Sequence, residues 1–526
     1  MDAKGKRLPI GIQDFEKLIT GDYLYVDKTR YIYELAHGDG AAYFLSRPRR
    51  FGKSLFLSSL KAYFDGRKEL FRGLDIERLE EGNAGAWQEY PVFYFDFNKN
   101  HYREESALTD VLTEHLDGWD RQYGVDTKDR PVEERFRRLL EVANRDTGRR
   151  AVILVDEYDK PLLEGGGSLE RMEHDKAVFK GFFSTLKSYD GYLRFVFLTG
   201  VTKFSKVSIF SDLNHLQDIT IDEKYACICG MTGREIRDGL NRHVLEMAQK
   251  QGISQAECYA ELKKMYDGYH FHQDAEGVYN PFSILNALAK KEFGYWWFET
   301  GTPTFLVEKM ASESYDIKKI TDGEIYAPAS QLVDYRADNP NPVPLLFQTG
   351  YLTISGYDRL FRVYRMNYPN EEVKYGFLEC LAPVYLNREK EPGPLDIRAV
   401  GNALRNGDTD TLRDILVSLY ASLPYTTDER PVEQNFQNVA YLVFTLVGQF
   451  VRTEVHSSRG RSDVIVETDD YVYLMEFKRD ETAEAALEQI ESQGYALPYA
   501  ADPRKLIRIG ANFDSRTRTL DQWKVV

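Results

Sequence analysis

The chain has 526 residues, more than one hydrophobic core ordinarily supports, so two to four domains are expected. Hydrophobic residues make up 43% and charged residues 29%, and the 35 Tyr and 30 Phe argue against long disordered stretches. The formal net charge of −15 excludes a uniformly basic nucleic-acid-binding surface and leaves room only for a local basic strip.

The opening residues Met1 to Arg7 are not followed by a signal-type apolar run. No stretch approaches the ~20 apolar residues of a membrane helix, so a cytoplasmic protein without a membrane partner is expected. Ala42 to Leu45 is a short apolar run that reads as a strand. It leads into Ser46-Arg47-Pro48-Arg49-Arg50-Phe51-Gly52-Lys53-Ser54, after which Ser54 to Phe64 reads as a helix with Leu55, Leu57, Leu60 and Phe64 as its apolar positions. A loop between strand and helix is the setting of a phosphate cradle, because N–H groups at a helix N-terminus point at an anion and the helix dipole adds to their pull. Arg50, Phe51 and Gly52 form that loop; Lys53 reaches the β- and γ-phosphates, and the Ser54 hydroxyl ligates Mg²⁺. Arg47 stands where the usual loop has its first Gly.

Val92 to Phe97, Ala151 to Val155 and Leu193 to Leu198 are further strand candidates. Near-continuous apolar strands separated by helices predict a mostly parallel sheet covered on both faces, hence an α/β fold. The third run continues into Asp156-Glu157, with Asp156 expected to hold Mg²⁺ and Glu157 to polarise the attacking water. Thr199, at the end of the fourth, is placed to sense the γ-phosphate or orient water. Arg49, Arg50 and Arg194 are the candidates for a transition-state arginine.

Asp27-Lys28-Thr29 with Tyr25, the Arg47–Ser54 loop, Val155-Asp156-Glu157-Tyr158-Asp159-Lys160-Pro161 and Leu198-Thr199-Gly200-Val201 together resemble a family of bacterial AAA-like ATPases. The resemblance covers roughly the first 210–340 residues. Members of that family carry Arg at the first loop-Gly position. It implies ATP as a ligand, with hydrolysis.

Cys227 and Cys229, one residue apart, have a poor zinc-ligand spacing; with Cys258 and Cys380 they read as free thiols of a reducing compartment. From about 230 to 345 the pattern is helical, and its aromatic pieces, Tyr266 to Tyr269 and Tyr295 to Phe298, read as packing residues. Residues 339–344 form a proline-rich break, and 385–410 have the composition of a linker or domain edge.

The last hundred residues return to α/β. Asp463 precedes the strand-like Val464-Ile465-Val466, and Tyr471 to Phe477 is the next such run, with Asp469-Asp470 between them as a turn. A two-residue loop pairs Thr468 with Tyr471 and puts Asp463 opposite Glu476; a three-residue loop would shift the partner to Met475. Glu476 and Lys478, two apart, share one face. Two carboxylates hold Mg²⁺ or Mn²⁺ through hard oxygens, a Phe477 carbonyl can add another, and Lys478 can position water or neutralise a developing oxyanion. Ala483 to Ile490 reads as an amphipathic helix; Gln489 could reach the site, but is expected on the solvent side.

Asp463, Glu476 and Lys478 resemble the signature of the PD-(D/E)XK nuclease superfamily over about residues 430–515, with Ser462 in place of the proline before the first Asp. Glu433 and Glu454 are candidates for the additional acid that some members use. The resemblance implies a restriction-endonuclease-like α/β domain. The pairing of the two domains also resembles a known bacterial arrangement.

The expected organisation is therefore a P-loop domain over residues 1–230, a helical or lid region over 231–345, a connecting helical region over 346–425 and the nuclease-like domain over 426–526. The expected function is ATP-dependent or ATP-gated cleavage of DNA, with a basic strip drawn from Arg459, Arg461, Lys478 and Arg479. The alternatives are an ATP-driven switch whose nuclease-like domain binds a partner or nucleic acid without cleaving, and a non-hydrolysing scaffold. Self-association into a homo-oligomer stays open.

Overall fold

Apolar runs with no polar alternation are stable only in a sheet covered on both faces. In the computed structural model Ala42–Ser46 (β1) and Ala151–Asp156 (β3) are buried at every position, and Leu193–Gly200 (β4) at all but one. Val92–Asp96 (β2) alternates between buried and half-buried and lies at one edge; Leu216–Asp218 (β5) lies at the other. The order is β2-β3-β4-β1-β5, with every pairing parallel. The structure describes residues 5–98, 101–102, 104–164, 169–203, 216–298, 306–307, 310, 315, 318–321, 325–333, 341–385, 397–421, 439, 441–448, 452–455, 463–517 and 519–526.

The strand order positions the chemistry. In open parallel sheets ligands gather outside the C-terminal strand ends. Ser46 at the end of β1 pairs with Gly200 at the end of β4, and Val155 pairs with Leu198. The end of β4 therefore lies between the loop that follows β1 and the acids that follow β3. The helix Lys53–Phe64 starts directly from the loop.

The middle of the chain is mainly helical. Gly233–Gln251 and Gln255–Tyr266 each start with a capping box, Thr232 with Glu235 and Ser254 with Glu257, and Gly252 at φ 68 closes the first. With Pro281–Lys290 they enclose an apolar cluster around Leu240, Val244, Leu262, Ile284 and Leu288. Met231–Thr232 (β6) and Val278–Tyr279 (β7) form a short antiparallel pair. Ile325–Ala327 (β8), Thr353–Asp358 (β9) and Val363–Asn367 (β10) form a sheet in the order β8-β10-β9, in which β9 and β10 make a hairpin. The chain divides into two compact units, Met1–Trp297 with Tyr326–Asn370, and Phe298–Ile325 with Glu371–Val526. Among the described residues no helix is long and apolar enough to cross a membrane.

The second unit carries a five-stranded sheet in sequential order: Arg452–Val455 (β11), Val464–Glu467 (β12), Tyr471–Arg479 (β13), Lys505–Asp514 (β14) and Thr519–Val525 (β15). Only β13 and β14 are parallel, because the helix Ala483–Ser492 carries the chain back between them. That helix lies on the sheet at Gly510, where a Cβ would come within 2.2 Å of the Ala483 carbonyl oxygen. A side chain there must push the helix away from β14. Gly510→Val is expected to cost about 3 kcal/mol by overpacking, read as a lowered melting temperature of the full chain. An unchanged melting temperature would show that the helix can lift without loss.

Candidate functional sites

The loop after β1 is shaped by two residues in the left-handed region, Arg50 at φ 65 and Gly52 at φ 95. Gly52 immediately precedes the helix, and a Cβ there would meet open space, so backbone conformation rather than crowding calls for glycine. Lys53 begins the helix and is buried. Its Nζ donates to the carbonyls of Arg47 at 3.0 Å and Pro48 at 3.2 Å, and lies 3.3 Å from Glu157 Oε1. The ammonium is thus folded back onto its own loop and held beside the acid that follows β3.

Asp156 is buried, and burial followed by the neighbouring Glu157 pushes its carboxyl above the usual range. Hydrogen bonds from Ser54 and Thr199 and the charge of Lys53 work in the opposite direction. Ser54, Lys53, Asp156 and Glu157 therefore form one group, as the spacing predicts. Glu157 has φ 53, a left-handed conformation that costs a non-glycine residue on the order of 1 kcal/mol.

Thr199 is tied to the acid that follows β3. It is fully buried and its hydroxyl donates to Asp156 Oδ1 at 2.7 Å. That hydroxyl reaches the carboxylate because β4 runs directly between β1 and β3. Arg194 is displaced from its candidate role. It lies at the start of β4, the end of the strand remote from Thr199, and donates to the Ala36 carbonyl at 2.8 Å. Arg50 stays at the loop, with its guanidinium over the Phe282 ring at 5.1 Å.

Two residues of this site, Arg47 and Asp159, take their roles from partners remote in the sequence. Arg47 is fully buried. It donates to the carbonyls of Ser46 at 2.8 Å, Thr220 at 2.7 Å and Tyr225 at 3.0 Å, and stacks over Phe271 at 3.8 Å. Burial holds its guanidinium down at about 10. The Arg in place of glycine is thus a tie between the loop and the segment after β5. Asp159, also fully buried, accepts from the Val201 and Thr202 amides and the Thr202 hydroxyl, and burial pushes it up to about 6. Gly200 makes room for it, since a Cβ there would lie 2.6 Å from Asp159 Oδ1. The aromatic residues of the middle region do pack, and they pack on the loop: Phe51 meets Tyr269 edge-on at 4.7 Å, and Trp297 Nε1 donates to the Arg49 carbonyl at 3.2 Å.

The second site lies on β12 and β13. Val464 pairs with Met475 and Glu467 with Val472, and the Thr468 amide donates to the Tyr471 carbonyl at 2.8 Å. This is the register of the two-residue turn, and one further step sets Asp463 across from Glu476. The contact is reciprocal: the Phe477 amide donates to Asp463 Oδ2 at 2.9 Å, and the Asp463 amide to Glu476 Oε2 at 3.2 Å. Glu476 is 3% exposed. Burial first, and Asp463 second, push its carboxyl up to about 7.

Gln489 is in this site, contrary to the solvent-facing expectation. Its amide nitrogen donates to Glu476 Oε1, and its carbonyl oxygen accepts from Lys478 Nζ. Leu474 packs with Ile490, which seats the helix on the face of β13 that also carries Glu476 and Lys478, and Gln489 is Ile490's neighbour. The helix periodicity alone did not resolve this, because the site lies at the border of the buried stripe. Glu454 is on β11, paired with Ile465. Glu433, Arg459, Arg461 and Ser462 lie outside the described residues. Arg479 pairs with Asp480, Nε to Oδ2 at 3.4 Å.

The donor sets suit their expected ligands. Two carboxylates and a backbone carbonyl are hard oxygens, and Mg²⁺ is commonly held by one or two carboxylates with water completing its shell. Among the described residues no cluster of three His, Cys, Asp or Glu side chains is placed to hold a metal, so such an ion would rest on that pair. At the first site a helix N-terminus, a lysine, a hydroxyl and an acid converge as a nucleotide–Mg²⁺ complex requires.

Comparison with known proteins assigns a family model to each of the two regions. Residues 9–210 match the family described as "Predicted AAA-ATPase", and residues 432–523 match the PD-(D/E)XK nuclease superfamily. The chain thus joins an AAA-ATPase-like domain to a nuclease-superfamily domain. It is 35% identical, over 98% of both chains, to the "Uncharacterized protein in vnfD 5'region" of Azotobacter chroococcum mcd 1, and it belongs to that protein's family. A local similarity, 28% identity over 155 residues, relates 29% of the chain to 42% of a "GTP 3',8-cyclase" of Haemophilus influenzae (strain PittGG).

Proposed function

We propose that the chain is an ATP-gated, metal-dependent nuclease that acts on DNA in the cytoplasm. The observation that carries this reading is the group Asp463–Glu476–Gln489–Lys478, in which the Gln489 amide joins Glu476 to Lys478 and backbone amides tie Asp463 to Glu476. A divalent ion bound there would polarise the scissile phosphate and lower the pKa of a bound water. Asp463 and Glu476 hold the ion, Gln489 fixes the direction of both Glu476 and Lys478, and Lys478 offers positive charge to the phosphate oxygens. Burial keeps water away from Glu476 and strengthens each of these interactions.

At the first site Lys53 exchanges the carbonyls of Arg47 and Pro48 for the phosphates of ATP. Ser54 and Asp156 hold Mg²⁺, Thr199 keeps Asp156 turned toward Ser54, and Glu157, released by Lys53, orients water. The exchange frees the loop carbonyls, so ATP binding changes the loop and the aromatic residues packed on it.

The test is cleavage of single-stranded, duplex and branched DNA by the purified full chain, with Mg²⁺ or Mn²⁺, with and without ATP. Divalent-dependent cleavage that responds to ATP is expected. DNA binding without cleavage under every condition would favour a switch that binds nucleic acid, and cleavage unaltered in Asp463→Ala would remove the assignment of this site.

A further inference from the structure

The β9–β10 hairpin ends in the four-residue loop Arg359-Leu360-Phe361-Arg362, between Asp358 and its partner Val363. Leu360 is 82% exposed and Phe361 72%, both among the most exposed large apolar side chains of the described residues. Single exposed hydrophobes are ordinary, but two adjacent ones at the tip of a rigid projection are not. The loop is held open from within. Asp358 Oδ1 accepts from the amides of Leu360 at 2.9 Å and Phe361 at 3.1 Å, Arg362 takes φ 56, and Tyr357 and Tyr364 pair below it at 4.9 Å. The fold therefore presents the two side chains outward.

Their surroundings indicate what they meet. Arg359 and Arg362 flank the apolar pair, both exposed, and Arg365 is exposed further down β10. Among the described residues no ion pair engages Arg359 or Arg362. In a chain with net charge −15, two unpaired guanidinium groups beside an apolar tip form a local cationic patch. A Leu-Phe tip between arginines matches the chemistry of a base step: apolar side chains enter between stacked bases while cations hold the phosphates on either side.

From this geometry we infer that the hairpin tip is a nucleic-acid wedge: Leu360 and Phe361 enter between base pairs of duplex DNA, and Arg359 and Arg362 contact the flanking phosphates. The inference deepens the proposed action on DNA and rests on it. It supplies a contact surface that the acidic composition otherwise lacks.

The test is binding of the full chain in EDTA, where cleavage is suppressed, to a duplex carrying 2-aminopurine, whose fluorescence rises when it is unstacked. Arg359→Ala/Arg362→Ala is expected to weaken binding at least tenfold and to flatten the slope of log K against log salt by about two. Leu360→Ser/Phe361→Ser is expected to keep that slope and lose the fluorescence rise. Melting curves matching the parent establish that each variant is folded, which their exposure predicts. Vesicles of equal parts phosphatidylserine and phosphatidylcholine form a second arm: sedimentation that depends on Leu360 and Phe361, without a change in DNA binding, overturns the inference in favour of a membrane surface. A parent that cleaves DNA while both double variants bind and unstack it as the parent does overturns the wedge alone. A parent that neither binds nor cleaves DNA overturns the wedge and the proposed function together.

Discussion

Glu476→Gln will abolish DNA cleavage, at least a hundredfold below the parent, and will raise the melting temperature of the metal-free protein at pH 8 while leaving it unchanged at pH 4. The two effects share one cause. The carboxyl is buried beside Asp463 and its folded-state pKa is raised from 4.5 to about 7. A raised acid pKa means that the native state keeps a proton that the unfolded chain releases. Stability therefore falls as pH rises from about 4.5 to about 7, and the full cost is present above that window. At about 1.4 kcal/mol per pH unit, reduced by the solvent that screens the site, this is on the order of 1–2 kcal/mol, or a few degrees in melting temperature. Gln cannot ionise, so it escapes the cost; it also cannot supply the charge that holds a divalent ion. Mg²⁺ or Mn²⁺ should accordingly stabilise the parent at pH 8, EDTA should reverse that, and Glu476→Gln should respond to neither. Melting curves across pH 4–8 decide the matter, and a variant no more stable than the parent at pH 8 would contradict the account in which burial, and then Asp463, disfavours the charged carboxylate.

Lys53→Ala is expected to weaken ATP binding at least a hundredfold while leaving the fold in place. In the parent, ATP with Mg²⁺ should raise the melting temperature by mass action, roughly 2.7 kcal/mol of stabilisation at a ligand concentration a hundred times Kd. The variant should show none of this. Lys53 is the buried cation of the loop, and its present partners are two backbone carbonyls and Glu157. Removing it leaves Glu157 partly exposed to solvent, so a modest loss of intrinsic stability is expected. Glu157→Gln separates the roles: it should keep the ATP-induced shift and lose hydrolysis. An ATP shift of normal size in Lys53→Ala would mean that nucleotide is held elsewhere.

Much of both sites was legible in short stretches of sequence. Each feature read correctly depends on neighbours within a few residues: the apolar runs of β1, β2, β3 and β4, the strand–loop–helix around Lys53, and the Asp469-Asp470 turn that sets Asp463 against Glu476. Backbone periodicity and turn geometry act over that range. The residues that were misread or passed over obtain their partners from far along the chain. Thr199 bonds Asp156, 43 residues away, because β4 inserts between β1 and β3. Arg47 stands at the first loop-Gly position, as in the family the chain resembles, and its hydrogen bonds reach carbonyls 173 and 178 residues away. Gln489 was expected in solvent, and Leu474 against Ile490 turned it inward.

The amino-acid order alone thus specified which groups exist and which short elements carry them: a lysine at a helix start, acids at strand ends, a tight hairpin with charges in register. Strand order, helix docking at Gly510 and burial specified which of those groups meet, and hence that Glu476 resists ionising, that Asp156 is steered by a threonine and that a Leu-Phe tip stays in the open. Local conformation follows from steric and hydrogen-bonding preferences within a few residues, whereas pKa and partner choice follow from packing among elements distant in the chain, and no window of sequence contains that packing.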